Sequence, residues 1–182
     1  MSFAFTPCKL SGLLLVEGKA FPDDRGFFIE SFRAKDMDGQ PIPPLIQDNV
    51  SRSRKGVIRG LHFQKNPSPL GKLIRCLRGR IYDVAVDIRR SSPTYGQWAA
   101  VELDDAGNRM FWVPAGFAHG FQALSDSADV LYKQTGYWSP PDDCGMLWND
   151  PAVGVKWPIK DAVLSAKDAK LPLLAESANN FK

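Results

Sequence analysis

Two histidines are the residues whose type and setting first suggest chemistry in this chain of 182 residues. His62 lies within Arg59–Gln64, a stretch rich in apolar, β-forming residues, and His119 lies within Val113–Phe121, among glycine, proline and aromatic residues. Imidazole is a common proton carrier because its ordinary pKa lies close to neutral pH. Each histidine is therefore a candidate for proton transfer in a sheltered pocket, and two of them cannot form a three-histidine metal site.

Arg59 and His62 are close in sequence but need not share a site. Strict alternation along a strand over residues 57–64 places them on opposite faces. Both reach one site only if the strand bulges or twists near Gly60, a departure that glycine permits. The other interpretation is a hydrogen-bonded structural histidine beside a surface arginine, and the sequence leaves both open.

Lys72 and Tyr132 are candidates for assisting a proton transfer. Alternation places Lys72 on the face of Ile74 and Cys76, where its ammonium could stabilise a developing oxyanion. A lysine at the start of a strand more commonly extends to water. The Tyr132 phenol could donate or accept a proton, although most strand tyrosines are packing residues.

Trp138 and Arg25 are candidates for ligand binding. The Trp138 indole offers a flat surface for a nucleobase, and the Arg25 guanidinium could hold phosphate oxygens in its planar fork. Their alternatives are an ordinary tryptophan at a sheet edge and an arginine paired with Asp23 or Asp24.

The elements that must position these side chains are predicted to be short strands. Fourteen prolines and fifteen glycines separate apolar or alternating runs, which favours an all-β sandwich or barrel. In the clearest strand Tyr82 and Val84 face one way while Ile81 and Asp83 face the other. Nine strands are predicted, over residues 27–32, 45–51, 57–64, 72–77, 80–89, 97–103, 110–113, 118–124 and 130–138. Helix is predicted only over residues 33–38 and for about a turn within 161–169.

Composition indicates one globular domain over residues 1–182 that binds a small ligand. The net charge is +3, and its lysines and arginines are interleaved with acids, so no basic run could follow a polynucleotide. A small anionic ligand fits this balance better than nucleic acid. No segment approaches the roughly 20 apolar residues of a membrane span, and the N-terminus lacks the pattern of a leader.

The cysteines and the absent motifs narrow the chemistry. Cys8, Cys76 and Cys144 are far apart and odd in number, so we expect reduced thiols in a cytoplasmic protein rather than disulfides or a thiolate zinc site. The sequence has no glycine-rich phosphate loop, no GxSxG elbow and no HExxH pair. Isolated histidines also disfavour a jelly-roll metal oxygenase, so no metal is expected.

Motifs along nearly the whole chain resemble those of the dTDP-4-dehydrorhamnose 3,5-epimerase family, a group of nucleotide-sugar epimerases. They occur in the family's order, and this makes the resemblance specific. The matching segments are residues 21–30, 47–51, 56–64, 72–75, 83–89, 92–96, 114–121, 132–133, 148–151, 157–158 and 164–168.

The resemblance implies a cupin-type jelly roll, or double-stranded β-helix, with a few short helices. It also implies a homodimer in which an N-terminal segment joins the partner's sheet, with no cofactor and no metal. By the same resemblance His62 is the base, oriented by Asp168, Tyr132 is the acid on the opposite face of the sugar, and Lys72 steadies the enolate oxygen. The residues implied to hold the nucleotide sugar are Arg25, Glu30, Gln47, Asn49, Arg59, His119 and Lys167.

Two residues depart from the family pattern. Trp138 stands where a tyrosine commonly stacks on thymine, and Asp143 stands where a glutamate is frequent, so that contact is expected to be shorter or lost. The expected reaction is inversion of carbons 3 and 5 of a dTDP-4-keto-6-deoxyhexose. The alternatives are inversion at carbon 3 alone, a sugar on another nucleotide, a cupin that binds nucleotide sugar without catalysis, and a metal-dependent enzyme of the same fold.

Overall fold

The computed structural model describes residues 3–182, which form two facing antiparallel sheets. One sheet has six strands in the order β1-β2-β10-β7-β12-β5, and the other has five in the order β13-β6-β11-β8-β9. The all-β jelly roll expected from the sequence is confirmed. The strands of the six-stranded sheet are β1 (Phe3–Pro7), β2 (Leu14–Gly18), β5 (Gln47–Arg54), β7 (Lys72–Arg78), β10 (Arg109–Val113) and β12 (Ser127–Gln134). Those of the five-stranded sheet are β6 (Ile58–Gln64), β8 (Arg80–Asp87), β9 (Trp98–Asp104), β11 (Phe117–Ala123) and β13 (Asp143–Gly145).

Strand β8 shows how sequence alternation builds two cores. Ile81 and Ala85 point between the sheets, where they pack with side chains of both. Val84 and Val86 point to the outer side of the five-stranded sheet and pack beneath the C-terminal segment. Because β8 is covered on both faces, its outer positions are as apolar as its inner ones.

Strand β6 carries a bulge near Gly60, which is the condition under which Arg59 and His62 could share a site. Its pairing with β11 matches His62 with His119 and Arg59 with Phe121, so β6 has one more residue than β11 between these pairs. Gly60 adopts φ +140°, and a Cβ there would lie 2.6 Å from the Cα of Gly120. Only glycine fits where β6 approaches β11 so closely. The extra residue brings Arg59 and His62 to the same side of the sheet.

A separate two-stranded ribbon, β3 (Ala20–Asp23) and β4 (Gly26–Ile29), pairs with neither sheet in the described part of the chain. The sequence pattern predicted β4 but not β3. It also missed β1, β2 and β13, which are strands of three to five residues. Three- to five-residue strands carry too few alternations for a reliable period, so pairing rather than pattern defines them.

The helix predictions were only partly correct. Residues 33–38 contain one 3-10 turn, Ala34–Met37, and the region 161–169 is irregular until a 3-10 turn at Asp168–Lys170. The strand predicted over 130–138 ends at Gln134, so Trp138 lies in a loop rather than in a sheet. No helix within residues 3–182 is long and apolar enough to span a membrane.

The irregular C-terminal segment is held against the five-stranded sheet. Val163 forms a parallel bridge with Val57 just before β6, through backbone hydrogen bonds to Ile58 and Gly56. Farther along, the Leu147 amide donates to the Pro172 carbonyl at 2.7 Å. The residues between these anchors therefore lie beside His62.

Candidate active site

A pocket of about 540 Å³ opens between the two sheets at the end where β5, β6, β7, β11 and β12 meet. Its walls come from the inner faces of both sheets, and the C-terminal segment closes one side. The lining residues are Asn49, Ser51, Val57, Ile58, Arg59, His62, Lys72, His119, Tyr132, Gln134, Val163, Leu164, Ser165, Lys167 and Asp168. The pocket thus collects both histidines, a lysine and a tyrosine.

His62 and Asp168 form a hydrogen-bonded pair across the pocket wall. The His62 Nε2 and Asp168 Oδ1 atoms are 2.7 Å apart, with His62 29% exposed and Asp168 only 6% exposed. Burial favours a higher pKa for Asp168, but hydrogen bonds from His62, the Gly60 amide and Ser165 lower it below its usual value. The ionised carboxylate fixes the tautomer with hydrogen on Nε2, and the other ring nitrogen then carries a lone pair and can accept a proton.

His119 and Asp83 form a second, deeper pair. The His119 Nε2 and Asp83 Oδ1 atoms are 2.5 Å apart, and both side chains are buried. Burial lowers the pKa of His119, while the nearby carboxylate opposes this shift. The lowered pKa makes His119 a weaker proton acceptor than an ordinary histidine, so it suits a hydrogen-bonding role on the floor of the pocket rather than that of a second base.

Asp83 was not among the site residues proposed from the sequence. The signal was present in the alternation of β8, which places a carboxylate on the same face as Ile81 and Ala85. A carboxylate on an apolar face requires a buried partner. Sequence alone did not show that His119, 36 residues away, supplies it.

Lys72 lies half-buried at the start of β7, on the face of Ile74 and Cys76 as alternation predicted. Burial lowers its pKa from 10.5 to about 8, and the carboxylates of Asp143 and Asp83 limit the fall. An ammonium in such surroundings is poorly solvated, so it gains strongly from an anion that forms nearby.

Tyr132 projects from β12, in the sheet opposite to that of His62. Its ring lies edge-on to His119, with 6.3 Å between ring centroids, and tilted against Phe121. Its hydroxyl oxygen is 2.9 Å from Ser51 Oγ. Burial raises the pKa of Tyr132 well above its usual value, more than Ser51 and Arg59 lower it, so the phenol holds its proton until an acceptor approaches.

Four of the predicted ligand-binding residues, Asn49, Arg59, His119 and Lys167, line the pocket directly. Gln47 lies beside it and donates to Asn49 Oδ1 at 3.2 Å. Asp143 lies behind Lys167, whose Nζ it holds at 2.7 Å. The shorter acid expected at this position therefore contacts a lysine of the pocket wall.

Trp138, Arg25 and Glu30 lie off the pocket lining. The Trp138 side chain is 59% exposed at the rim, and its amide donates to Gln47. Arg25 lies at the tip of the β3–β4 ribbon and pairs with Asp23, and Glu30 pairs with Arg33. Within this chain the structure does not bring Arg25 or Glu30 to the pocket.

Ser51, Gln134 and Ser165 also line the pocket and were not proposed from sequence. Ser51 shares the inner face of β5 with Gln47 and Asn49, and this polar alternation was the available signal. Within residues 3–182, no group of three or more histidine, cysteine or acidic side chains is arranged to hold a metal ion.

Comparison with known proteins identifies the family of the chain. The family model described as dTDP-4-dehydrorhamnose 3,5-epimerase matches residues 7–176. A relative of that name from Salmonella typhimurium strain LT2 is 48% identical over 169 residues, which cover 91% of this chain and 92% of the relative.

Solved structures agree in fold. An enzyme of the same name from Sulfolobus tokodaii has a TM-score of 0.93 at 44% identity, with 100% of both chains covered. The dTDP-6-deoxy-D-glucose-3,5-epimerase of Legionella pneumophila, in complex with dTDP-4-keto-L-rhamnose, has a TM-score of 0.92 at 44% identity and covers 96% of this chain and 94% of its own. A 3'-monoepimerase from Streptomyces bikiniensis, bound to dTDP-quinovose, has a TM-score of 0.88 at 32% identity, over 93% of this chain and 87% of its own.

Fold, site and relatives together define a jelly-roll enzyme of the isomerase class. The chain belongs to the dTDP-4-dehydrorhamnose 3,5-epimerase family.

Proposed function

We propose that this enzyme inverts carbons 3 and 5 of dTDP-4-keto-6-deoxy-D-glucose in the route to dTDP-L-rhamnose or a related deoxysugar. The observation that carries the proposal is the placement of a carboxylate-bound imidazole and a protonated phenol on opposite sheets around one pocket. Epimerisation requires a proton acceptor on one face of a carbon and a proton donor on the other, and this geometry supplies both.

The reaction proceeds through an enolate. The ketone at carbon 4 acidifies the hydrogens on carbons 3 and 5, and His62 removes one of them while Asp168 supports the resulting imidazolium. The Lys72 ammonium stabilises the negative charge that develops on the carbon 4 oxygen. Tyr132 then delivers its proton to the other face, so neither a redox cofactor nor a metal is needed.

Charged side chains around the pocket suit a diphosphate. Arg59 and Lys167 present cations to the pocket, and Asn49 and Gln47 add polar contacts at its edge. His119 extends the polar floor. We propose that the nucleobase stacks on Trp138. Its exposed ring lies at the rim and is wider than the tyrosine common in the family.

Arg25 and Glu30 lie away from the pocket of their own chain, so they can bind substrate only in a homodimer, at the partner's pocket. The β3–β4 ribbon pairs with neither sheet in the described residues, and it exposes Phe21, Phe27 and Phe28 by 46%, 65% and 66%. Exposed aromatic residues on an unpaired ribbon are typical of an interaction surface. We therefore assign the ribbon to the partner's sheet, where Arg25 and Glu30 would complete the partner's site.

Mixed dimers test this assignment. The Arg25→Ala and His62→Ala variants are each expected to be nearly inactive. Random mixing after unfolding should yield hybrids in half of the dimers, each with one complete site, and recover about one quarter of wild-type activity. A mixture no more active than its components would exclude a ribbon that crosses between subunits.

Two supporting features concern the whole chain. The three cysteines are free thiols, which suits a cytoplasmic enzyme. Both sheets share one inner core, which supports a single domain over residues 1–182.

Three alternatives carry distinct signatures. Sequence identity favours double inversion, because it is 48% to a 3,5-epimerase and 32% to a 3'-monoepimerase. A binding protein without catalysis would not need His62, Tyr132 and Lys72 gathered in one pocket. A metal-dependent enzyme would copurify with stoichiometric metal, which elemental analysis detects.

Product analysis in heavy water tests the function. The purified enzyme is given dTDP-4-keto-6-deoxy-D-glucose in D₂O, and the trapped product is analysed for configuration and label. We expect inversion with deuterium at both carbons. Label at carbon 3 alone would establish the monoepimerase, and an unchanged, unlabelled sugar would establish a binding protein.

A further inference from the structure

Each inversion leaves the two proton carriers in the wrong state for the next one. On the proposed mechanism, on which this inference rests, His62 gains a proton from carbon and Tyr132 loses one to carbon. The imidazolium must release its proton to water, and the phenolate must take one up. The net exchange of protons with water is zero, but Tyr132 must be recharged, that is, reprotonated, before every further inversion.

The surroundings of Tyr132 make this recharging difficult. Its ring packs against His119 and Phe121, which shield one side from solvent. Two charged side chains shift the pKa of its hydroxyl: Asp83 disfavours the phenolate, and Arg59 favours it. Neither can supply the proton, because Asp83 is held by His119 and arginine does not deprotonate at physiological pH.

Ser51 is the hydrogen-bond partner of the Tyr132 hydroxyl among the described residues, at 2.9 Å. It lines the pocket from β5, an edge strand, and on the same strand face Asn49 is exposed. A serine hydroxyl can donate to one neighbour while it accepts from another. In the substrate-free chain Ser51 therefore lies between the shielded phenol and the open side of the pocket.

We infer that Ser51 acts through Tyr132 and passes the replacement proton to its phenolate oxygen. In this step the Ser51 O–H proton moves to the phenolate oxygen as a water molecule gives a proton to Ser51 Oγ. The O–H bond of serine is broken and remade, and the hydroxide left in the water neutralises the proton that His62 releases. No other reactant is required.

The inference predicts a distinct kinetic signature for Ser51→Ala. Because Tyr132 starts protonated, the first inversion at each site should proceed at close to the wild-type rate, followed by steady turnover slower by about tenfold to a hundredfold. Proton removal by His62 should continue, so that deuterium exchange at carbon 3 outpaces inversion. KM should change less than twofold.

Rapid-quench measurements of inversion and deuterium exchange in D₂O give the rates of the first and the later inversions separately. Ser51→Thr, which retains a hydroxyl, should restore steady turnover to within a few-fold, and small buffer acids should accelerate Ser51→Ala at constant pH. Ser91→Ala, at an exposed serine in the turn after β8, is the matched control and should behave as wild type. Melting temperatures establish that all variants are folded.

The possible results test the role of Ser51 and the proposed enzymatic function separately. If Ser51→Ala slows the first and later inversions equally, or slows neither, Ser51 does not recharge Tyr132 and the inference is wrong. If the wild-type enzyme itself neither exchanges nor inverts the substrate, the proposed function fails independently of Ser51.

Discussion

Replacing Lys72 with methionine should abolish most of the activity and yet stabilise the fold. The ammonium is held in a site where burial lowers its pKa from 10.5 to about 8. That shift corresponds to about 3 kcal/mol against the charged form at pH 7. Methionine has a similar length and carries no charge, so Lys72→Met removes this penalty.

The stabilisation should depend on pH in a defined direction. The folded state holds the Lys72 proton more weakly than the unfolded chain, so between pH 8 and pH 10.5 the unfolded chain binds more protons. Wild-type stability therefore rises with pH through that window, because the penalty is complete below pH 8 and gone above pH 10.5. The advantage of the variant should shrink over the same range.

Thermal unfolding measures both effects. At pH 7 we expect Lys72→Met to gain up to about 3 kcal/mol, which corresponds to at most roughly 6–12 °C in Tm, while kcat falls by about 10²–10³-fold because oxyanion stabilisation is lost. Lys55→Met, at an exposed lysine, should change neither quantity. A Tm for Lys72→Met below that of wild type, or an advantage unchanged between pH 7 and pH 10.5, would refute the reasoning.

Three further variants probe the site and its support. Asp168→Asn should keep the fold but lower kcat by about 10²–10⁴-fold, because the amide no longer supports the imidazolium; a loss below tenfold in a steady-state assay would argue against the pair. Tyr132→Phe should retain deuterium exchange at carbon 3 but lose inversion, as NMR of the product distinguishes, whereas loss of both would place Tyr132 elsewhere in the mechanism. Gly60→Ala should destabilise the protein by about 2–4 kcal/mol, since both the backbone angle and Gly120 oppose a Cβ; Gly39→Ala, also at positive φ but with open space around it, is the control in denaturant unfolding.

Local pattern was sufficient to predict much of the fold. The alternation in β8 predicted which of its side chains enter each core, and Gly60 in β6 marked where a bulge could unite Arg59 with His62, a choice that the sequence left open. Strands β1, β2, β3 and β13 were missed because pairing rather than pattern defines such short elements. The strand predicted through Trp138 ended early, at Gln134, where the chain turns into the loop after β12.

The site was harder to predict because its contacts are distant in sequence. His62 meets Asp168 across 106 positions, and Ser51 meets Tyr132 across 81. No local period relates such residues, so the first pair came from family resemblance and the second emerged only in the structure. Asp83 was visible as a carboxylate on an apolar face, but its partner was not.

Removal of the His62 imidazole tests the central claim most directly. In D₂O with dTDP-4-keto-6-deoxy-D-glucose, His62→Ala should incorporate no deuterium at carbon 3 or carbon 5, while it melts as a folded protein and binds dTDP with the affinity of the wild type. Deuterium incorporation at the wild-type rate in this variant would contradict the claim that His62 is the base.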